Sequence, residues 1–76
     1  MIELKDWTEY SGLLKGEMKK QGLSSHKLEK LFGISHCTIQ EHTRLKRCPN
    51  LDSFLREMSA LGKMVLIVDK EDEHDG

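Results

Sequence analysis

The sequence is poor in cysteine, proline and aromatic residues, and it has no long apolar run. Its 76 residues include two Cys, one Pro and four aromatic side chains. Two cysteines are too few for a disulfide framework, so we expect Cys37 and Cys48 to be free thiols in a reducing compartment. The longest apolar run, residues 64–68, is too short to span a membrane, and residues 1–10 lack the basic-then-apolar pattern of a secretion signal. These absences predict a cytoplasmic protein.

Acidic and basic residues are segregated along the chain, although the formal net charge is only −1. Residues 1–14 carry one Lys against three acids, residues 15–63 carry ten Lys or Arg against five acids, and residues 64–76 carry one Lys against five acids. A basic body between acidic ends permits nucleic-acid binding, whereas a charged face by itself is usually only solvated. A chain this short also buries a limited core, which favours stabilisation by a disulfide, a metal or a partner subunit.

Cap residues and glycines predict four helices. Asp6, with Glu9 three residues later, has the spacing of a capping box. Ser and Asn are preferred caps, and glycine tolerates the backbone conformation that ends a helix. The predicted helices, each given by its cap and its end, run from Asp6 to Gly22, from Ser24 to Gly33, from Ser35 to about Arg44, and from Asn50 to Gly62.

Apolar residues recur every three or four positions within these helices, which is typical of helices with one buried face. The expected inward-facing or apolar-stripe positions are Trp7, Tyr10, Leu13, Leu14 and Met18 in the first helix, Leu28, Leu31 and Phe32 in the second, and Leu51, Phe54, Leu55, Met58 and Leu61 in the fourth. Only Ile34 separates Gly33 from Ser35. Two short helices joined by so tight a turn must cross at a large angle.

A short strand is predicted after the helices, from five consecutive apolar residues rich in β-branched side chains. These residues are Met64, Val65, Leu66, Ile67 and Val68. A strand needs a partner for its backbone N–H and C=O groups, and the candidates are residues 1–4 or the same strand of a second copy. We favour the second copy, because two-fold dimers are the commonest oligomers. Residues 69–76 are expected to form an acidic disordered tail.

The third predicted helix carries its polar residues on one face. At the pitch of an α-helix, Ile39 points inward, while Cys37, Gln40, Glu41 and Arg44 share the opposite face. Gln can pair with adenine through two hydrogen bonds, Glu can accept from cytosine, and Arg can bind guanine or phosphate. An α-helix of this kind fits the major groove of DNA, with the preceding helix resting on the backbone.

Metal binding and catalysis are the alternatives for the same stretch. His36 and Cys37 diverge on a helix because they are adjacent, and His36 and His42 lie on different faces. Neither a His pair at i, i+4 nor a CxxC motif is present. A Cys nucleophile needs a nearby His and a pocket that excludes water, and a chain this small has little room for one. The sequence therefore predicts no metal, no cofactor and no enzyme.

DNA binding is the function that this pattern favours. The N-terminus of the second helix offers N–H groups to a phosphate, and Lys46 and Arg47 add positive charge after the third helix. The predicted DNA-contacting residues are Ser25, His26, Ser35, His36, Cys37, Thr38, Gln40, Glu41, Arg44, Lys46 and Arg47.

Residues 22–62, GLSSHKLEKLFGISHCTIQEHTRLKRCPNLDSFLREMSALG, resemble the Xre/Cro-type helix-turn-helix repressors. The matching features are Gly22-Leu23-Ser24, Leu28, Gly33-Ile34-Ser35, Thr38-Ile39, a basic connector with Pro49, and Ala60-Leu61-Gly62. With the first helix, the resemblance covers residues 7–62. It implies a lambda-repressor-like domain of four or five helices that binds operator DNA as a dimer and represses transcription, often of its own operon.

Residues 62–68 resemble the HipB-type antitoxins more narrowly, in which a strand that pairs across the dimer axis replaces the fifth helix. This likeness implies a bacterial or phage-encoded repressor, a near-palindromic operator and a toxin partner.

Three residues depart from the repressor pattern. Glu29 replaces a small Ala, and its carboxylate must avoid the helix crossing or pair with a cation such as Arg44. His42 replaces an apolar core residue and is expected to be a hydrogen-bonded core histidine, and Thr43 replaces a common Glu.

The predicted architecture is thus a mainly α domain, residues 1–68, with a dimerisation strand at 63–68 and a tail at 69–76. The predicted function is sequence-specific transcriptional repression by a homodimer, as the autoregulatory antitoxin of a toxin–antitoxin operon. A phage-type repressor remains open, because it would use the same surface. A protein-interaction module with minor DNA contact is also open, in which the acidic tail docks on a basic partner.

Overall fold

The computed structural model describes residues 1–70, which form a mainly α-helical domain. Four helices follow one another along the chain: α1 (Trp7–Gln21), α2 (Ser25–Phe32), α3 (His36–Thr43) and α4 (Leu51–Ala60). The four predicted helices are confirmed, and each begins one residue after its predicted cap. Within residues 1–70, no helix combines the length and the apolar character needed to cross a membrane.

Side chains cap three of the four helix starts. The carboxylate of Asp6 accepts hydrogen bonds from the backbone N–H groups of Thr8 and Glu9 (2.9 and 3.0 Å). Equivalent bonds join Ser24 to the N–H of Lys27 (3.1 Å) and Asn50 to the N–H of Ser53 (2.8 Å). Such bonds satisfy N–H groups that have no partner inside the helix.

Ser35 occupies the predicted cap position of α3, but the prediction that its side chain caps the helix is wrong. The side chain of Ser35 makes no capping hydrogen bond. The carboxylate of Glu29, one turn before the end of α2, instead accepts from the backbone N–H of His36 (3.2 Å). The start of α3 is therefore stabilised from α2, across the turn that joins the two helices.

All four helices are followed by a residue in the left-handed conformation, and at α1, α3 and α4 this residue belongs to the same motif. At these three ends the residues are Gly22 (φ 69°), Leu45 (φ 60°) and Gly62 (φ 75°). The next residue then donates its N–H back to a carbonyl five positions earlier, as in a Schellman motif. The three bonds run from Leu23 to Met18 (2.8 Å), from Lys46 to Glu41 (2.9 Å) and from Lys63 to Met58 (2.8 Å). Leu45 thus stands where the other two ends have glycine.

The core lies between α3 and the helices around it. Its buried apolar side chains are Tyr10, Leu14, Leu28, Ile39, Met58 and Leu61. α3 packs against both α1 and α2. Ile39 is fully buried, as predicted, and its position fixes which face of α3 points away from the core.

Hydrogen bonds between buried polar groups link α1, α3 and α4. The Nδ1 atom of His42 lies 2.6 Å from Oε2 of Glu57, and Tyr10 donates its hydroxyl to Oε1 of Glu57 (2.5 Å). Ser11 donates to the backbone carbonyl of His42 (2.7 Å). The prediction that His42 is a hydrogen-bonded core histidine is confirmed.

Four apolar positions of the predicted stripes are exposed. Leu31 and Phe32 were expected on the inner face of α2, but they are 57% and 51% exposed. On α4, Leu51 is 71% exposed and Leu55 is 44% exposed. Helical spacing fixes the direction of a side chain, whereas burial also requires a second element on that side. Among residues 1–70, no element covers the outer part of these four side chains.

The predicted strand and tail follow α4. In this single chain, residues 64–68 form neither a helix nor a strand, and all five side chains are exposed. Pairing with a second copy needs a second chain, and it therefore stays a prediction. Of the predicted acidic tail, residues 71–76 lie outside the described part of the structure.

Candidate nucleic-acid interface

The outer face of α3 is held in place by the residues beneath it and by the turn before it. Gly33, with φ 74°, ends α2 and donates its N–H to the carbonyl of Glu29 (2.9 Å). Ile39 and His42 anchor α3 from below, and the bond from Ser11 to the His42 carbonyl ties it to α1. These contacts give α3 one fixed rotation about its axis.

The residues predicted to share the outer face of α3 do lie together on the surface. Cys37 and Arg44 are exposed, and Gln40 and Glu41 are half-buried. Together with Lys46 they line one shallow depression. The other six predicted contact residues are likewise exposed or half-buried: Ser25, His26, Ser35, His36, Thr38 and Arg47. All eleven predicted positions are therefore accessible in this chain.

Gln40 is oriented by a residue of α2. Its Nε2 donates a hydrogen bond to the hydroxyl of Ser25 (3.0 Å). An amide group has two N–H hydrogens and a carbonyl oxygen. The second hydrogen and Oε1 are therefore left for another ligand, in an orientation that Ser25 restricts.

The turn at Leu45 brings two cations back to the end of α3. The backbone N–H groups of Lys46 and Arg47 both point to the carbonyl of Glu41 (2.9 and 3.4 Å). The side chains of Arg47 and Glu41 form a loose ion pair, with Nε 3.8 Å from Oε1, and Arg47 is 71% exposed. An exposed ion pair of this kind contributes little to stability. The Arg47 guanidinium can therefore leave Glu41 and bind another anion.

Glu29, which was expected to avoid the helix crossing or to pair with a cation such as Arg44, pairs with His36 instead of Arg44. Its Oε1 lies 3.0 Å from Nδ1 of His36, while Oε2 accepts from the His36 backbone. The hydrogen bond from the His36 side chain, followed by the one from its backbone, lowers the pKa of Glu29 below its ordinary value. The ring of His26 stacks on that of His36, with centroids 4.1 Å apart.

His26, Glu29 and His36 form a cluster that the sequence analysis missed. Each offers a potential metal ligand, and the three ligand atoms lie within 4.8 Å of one another. Helical spacing separates His36 from Cys37 and His42, which is why the sequence predicted no metal site. The spacing of His26 and Glu29 at i, i+3 places them on one face of α2. The approach of His36 depends on the turn, which that spacing does not reveal.

The region as a whole combines a rigid helix, an accessible polar face and cations at its end. Carboxylate, amide and guanidinium groups on one face can donate and accept hydrogen bonds in a fixed pattern. No protein-family model, no curated protein and no solved structure matches this chain.

Proposed function

We propose that this protein is a sequence-specific DNA-binding repressor of the Xre/Cro type, acting as a homodimer on a near-palindromic operator. The observation that carries the proposal is the outer face of α3. Gln40, Glu41 and Arg44 are accessible on it, while Ile39 on the opposite side is fully buried. A helix supported in this way can enter the major groove and present its polar side chains to base edges.

Each polar group on this face has a chemical counterpart in DNA. Gln40 can donate its free amide hydrogen to N7 of adenine and accept from N6. Glu41 can accept from N4 of cytosine, and Arg44 can bind guanine or a phosphate. The hydrogen bond from Gln40 to Ser25 already orients the amide. The Gln40 side chain would therefore lose less conformational entropy when it contacts a base.

Contacts to the DNA backbone would come from the flanks of this face. The first turn of α2, at Ser25 and His26, presents N–H groups and the positive end of a helix dipole, which favour a phosphate. Lys46 and Arg47 are exposed beside the end of α3 and can neutralise phosphates on the other side. Backbone contacts on both flanks would fix the position of α3 in the groove.

The exposed apolar run supports the homodimer. Ile67 is 98% exposed and Met64 81% exposed in the single chain, and such residues are normally covered. Pairing residues 64–68 with the same residues of a second copy would bury them and satisfy their backbone groups. A two-fold dimer presents two α3 helices, which explains why the operator would be near-palindromic.

An apolar hollow supports a second binding partner, as expected for an autoregulatory antitoxin. Phe32, Ile34 and Ala60 line it together with Arg56 and Ser59, and Leu31 is exposed on the same helix as Phe32. A toxin protein could cover this surface. A phage-type repressor would use the same α3 face for DNA. If DNA contact were minor, the hollow and the acidic tail would make the protein an interaction module.

The proposal is tested by fluorescence anisotropy with a duplex from upstream of the protein's own gene and a scrambled duplex. We expect the upstream duplex to bind more tightly. Arg47→Ala should weaken binding to both duplexes. It should also reduce the slope of log affinity against log salt concentration by about one unit, because it removes about one phosphate contact. Arg56→Ala, on α4, is the matched control for loss of one positive charge and should leave both affinities unchanged.

The opposite results are equally specific. Equal, weak binding to both duplexes would contradict sequence-specific recognition. Failure to bind either duplex, both in the full chain and in a variant lacking residues 69–76, would favour the interaction module. Equal effects of Arg47→Ala and Arg56→Ala would show that general charge, rather than the flank of α3, attracts the DNA.

A further inference from the structure

We propose that His26, Glu29 and His36 bind a divalent transition-metal ion, with Zn²⁺ the best fit. One potential ligand atom from each residue lies within 4.8 Å of the other two. Two imidazoles and one carboxylate form a donor set that suits Zn²⁺, whereas Mg²⁺ prefers oxygen ligands. Three protein ligands would leave a coordination position for water.

The distance between Glu29 and His36 already suits a shared metal ion. Oε1 of Glu29 lies 3.0 Å from Nδ1 of His36. Two tetrahedral ligands at ordinary zinc distances lie roughly 3.3 Å apart. Oε1 and Nδ1 therefore need to separate by only a few tenths of an ångström for both to bind one Zn²⁺ ion. Nδ1 binds the ion when the ring hydrogen of His36 is on Nε2.

The backbone and the second carboxylate oxygen hold the two residues in register. Oε2 of Glu29 accepts from the backbone N–H of His36 (3.2 Å), so Oε1 is free to bind a metal without loss of the helix cap. Gly33 closes the turn between them in the left-handed conformation. The pair is therefore preorganised by the connection between α2 and α3.

His26 supplies the third ligand from the same face of α2 as Glu29. It is exposed, and its ring stacks on that of His36 with an angle of 27° between the ring planes. Rotation of this exposed ring about its side-chain bonds can direct a nitrogen to the ion. Cys37 lies on the other side of His36, with Sγ 3.5 Å from Nε2, and is therefore not a ligand when Nδ1 binds the metal.

The site is tested by isothermal titration calorimetry of the full-length, reduced chain with Zn²⁺, with Mg²⁺ as the negative control. We expect one Zn²⁺ per chain at this site, and about a tenfold or larger loss of affinity in His26→Ala and in Glu29→Gln. Cys37→Ser and His74→Ala are matched controls for loss of one thiol and one imidazole, and they should retain the wild-type affinity.

Two results would overturn the proposal. One is a Zn²⁺ affinity that is unchanged in both His26→Ala and Glu29→Gln. The other is loss of binding in Cys37→Ser or His74→Ala, which would assign the ion to a different site. The His26 side chain makes no hydrogen bond within residues 1–70, so His26→Ala should fold even if Glu29→Gln weakens the start of α3. Circular dichroism checks the folding of both variants. The titration contains no DNA, so its result does not depend on the proposed DNA binding.

Discussion

His42 on α3 and Glu57 on α4 form a buried pair, with Nδ1 2.6 Å from Oε2 and both side chains almost completely out of solvent. At this distance the imidazole and the carboxyl group share one hydrogen bond. The second oxygen of Glu57 accepts from Tyr10 on α1. One carboxylate therefore links three helices directly beneath the α3 face that we propose enters DNA.

Removing this carboxylate should strongly destabilise the fold. We expect Glu57→Leu to lower the free energy of unfolding by about 3–5 kcal/mol, because His42 and Tyr10 would be left buried without a partner. Urea denaturation followed by circular dichroism measures the change. Arg56→Ala is the matched control, since Arg56 forms an exposed pair with Asp52 and should cost less than about 1 kcal/mol.

Tyr10→Phe extends the same test to a milder change. It removes one hydrogen bond to Glu57 and should cost about 1–3 kcal/mol, so it remains measurable if Glu57→Leu does not fold. The account of the buried pair is wrong if Glu57→Leu costs no more than Arg56→Ala.

Leu45 should be a position where glycine stabilises the protein. It adopts φ 60°, which costs a residue with a side chain about 1–2 kcal/mol relative to glycine. We expect Leu45→Gly to raise the free energy of unfolding by about 1 kcal/mol, since part of that relief is offset by the greater freedom of glycine in the unfolded chain. Thermal denaturation of both chains measures the difference.

The control exchanges the residues in the opposite direction. Gly62 has the same conformation, and a Cβ placed there meets no atom within 4 Å. Gly62→Ala should therefore lower stability by about 1 kcal/mol through backbone strain alone. Loss of stability in Leu45→Gly would mean that packing of the Leu45 side chain outweighs the strain.

Acid should weaken the start of α1. A hydrogen bond from the Thr8 hydroxyl, then one from the Glu9 backbone, lowers the pKa of Asp6 below its ordinary value of 3.8. A lowered pKa in the folded state means that ionised Asp6 stabilises the fold above about pH 4, and that this stabilisation is lost as the pH falls through the folded-state pKa.

Asp6→Asn isolates this effect. Asn is a comparable cap but does not titrate. Between about pH 5 and pH 2, we expect the melting temperature of the wild type to fall further than that of Asp6→Asn. Other carboxylates contribute equally to both proteins, so the difference between the two curves reports on Asp6. Parallel curves would exclude a role for its charge.

Dimer formation is tested at Leu66, in the middle of the exposed apolar run. Proline there removes a backbone N–H and cannot occupy the interior of a paired strand. We expect sedimentation equilibrium to give a dimer for the wild type and a monomer for Leu66→Pro. An unchanged dimer mass would place the interface elsewhere, and a wild-type monomer would contradict the proposed homodimer.

The helices could be predicted from the sequence because their signals are local. Asp6, Ser24 and Asn50 cap the helices that follow them, and each cap needs only residues within the next turn. Ile39 could be placed in the core because a helix fixes its direction, and His42 because the repressor pattern that this chain resembles has a core residue at that position. The exposed side chains of α3 follow from the same periodicity.

What the sequence did not reveal depends on contacts between helices. The cap on His36 comes from Glu29 across a turn, and neither residue alone indicates it. The exposure of Leu31 and Phe32 depends on which element covers α2. Leu45 was not expected in a left-handed conformation, because most helix ends of this kind have glycine.

The central claim is that the outer face of α3 determines which DNA sequence is bound. Selection of duplexes from a randomised library, with wild-type protein and Gln40→Ala in parallel, tests it most directly. We expect the wild type to enrich a near-palindromic sequence, and Gln40→Ala to lose preference at one base pair of each half-site, at a cost of about 1–3 kcal/mol on the selected duplex. If both proteins enriched the same sequence, with the same preference at each base pair, the claim would be contradicted.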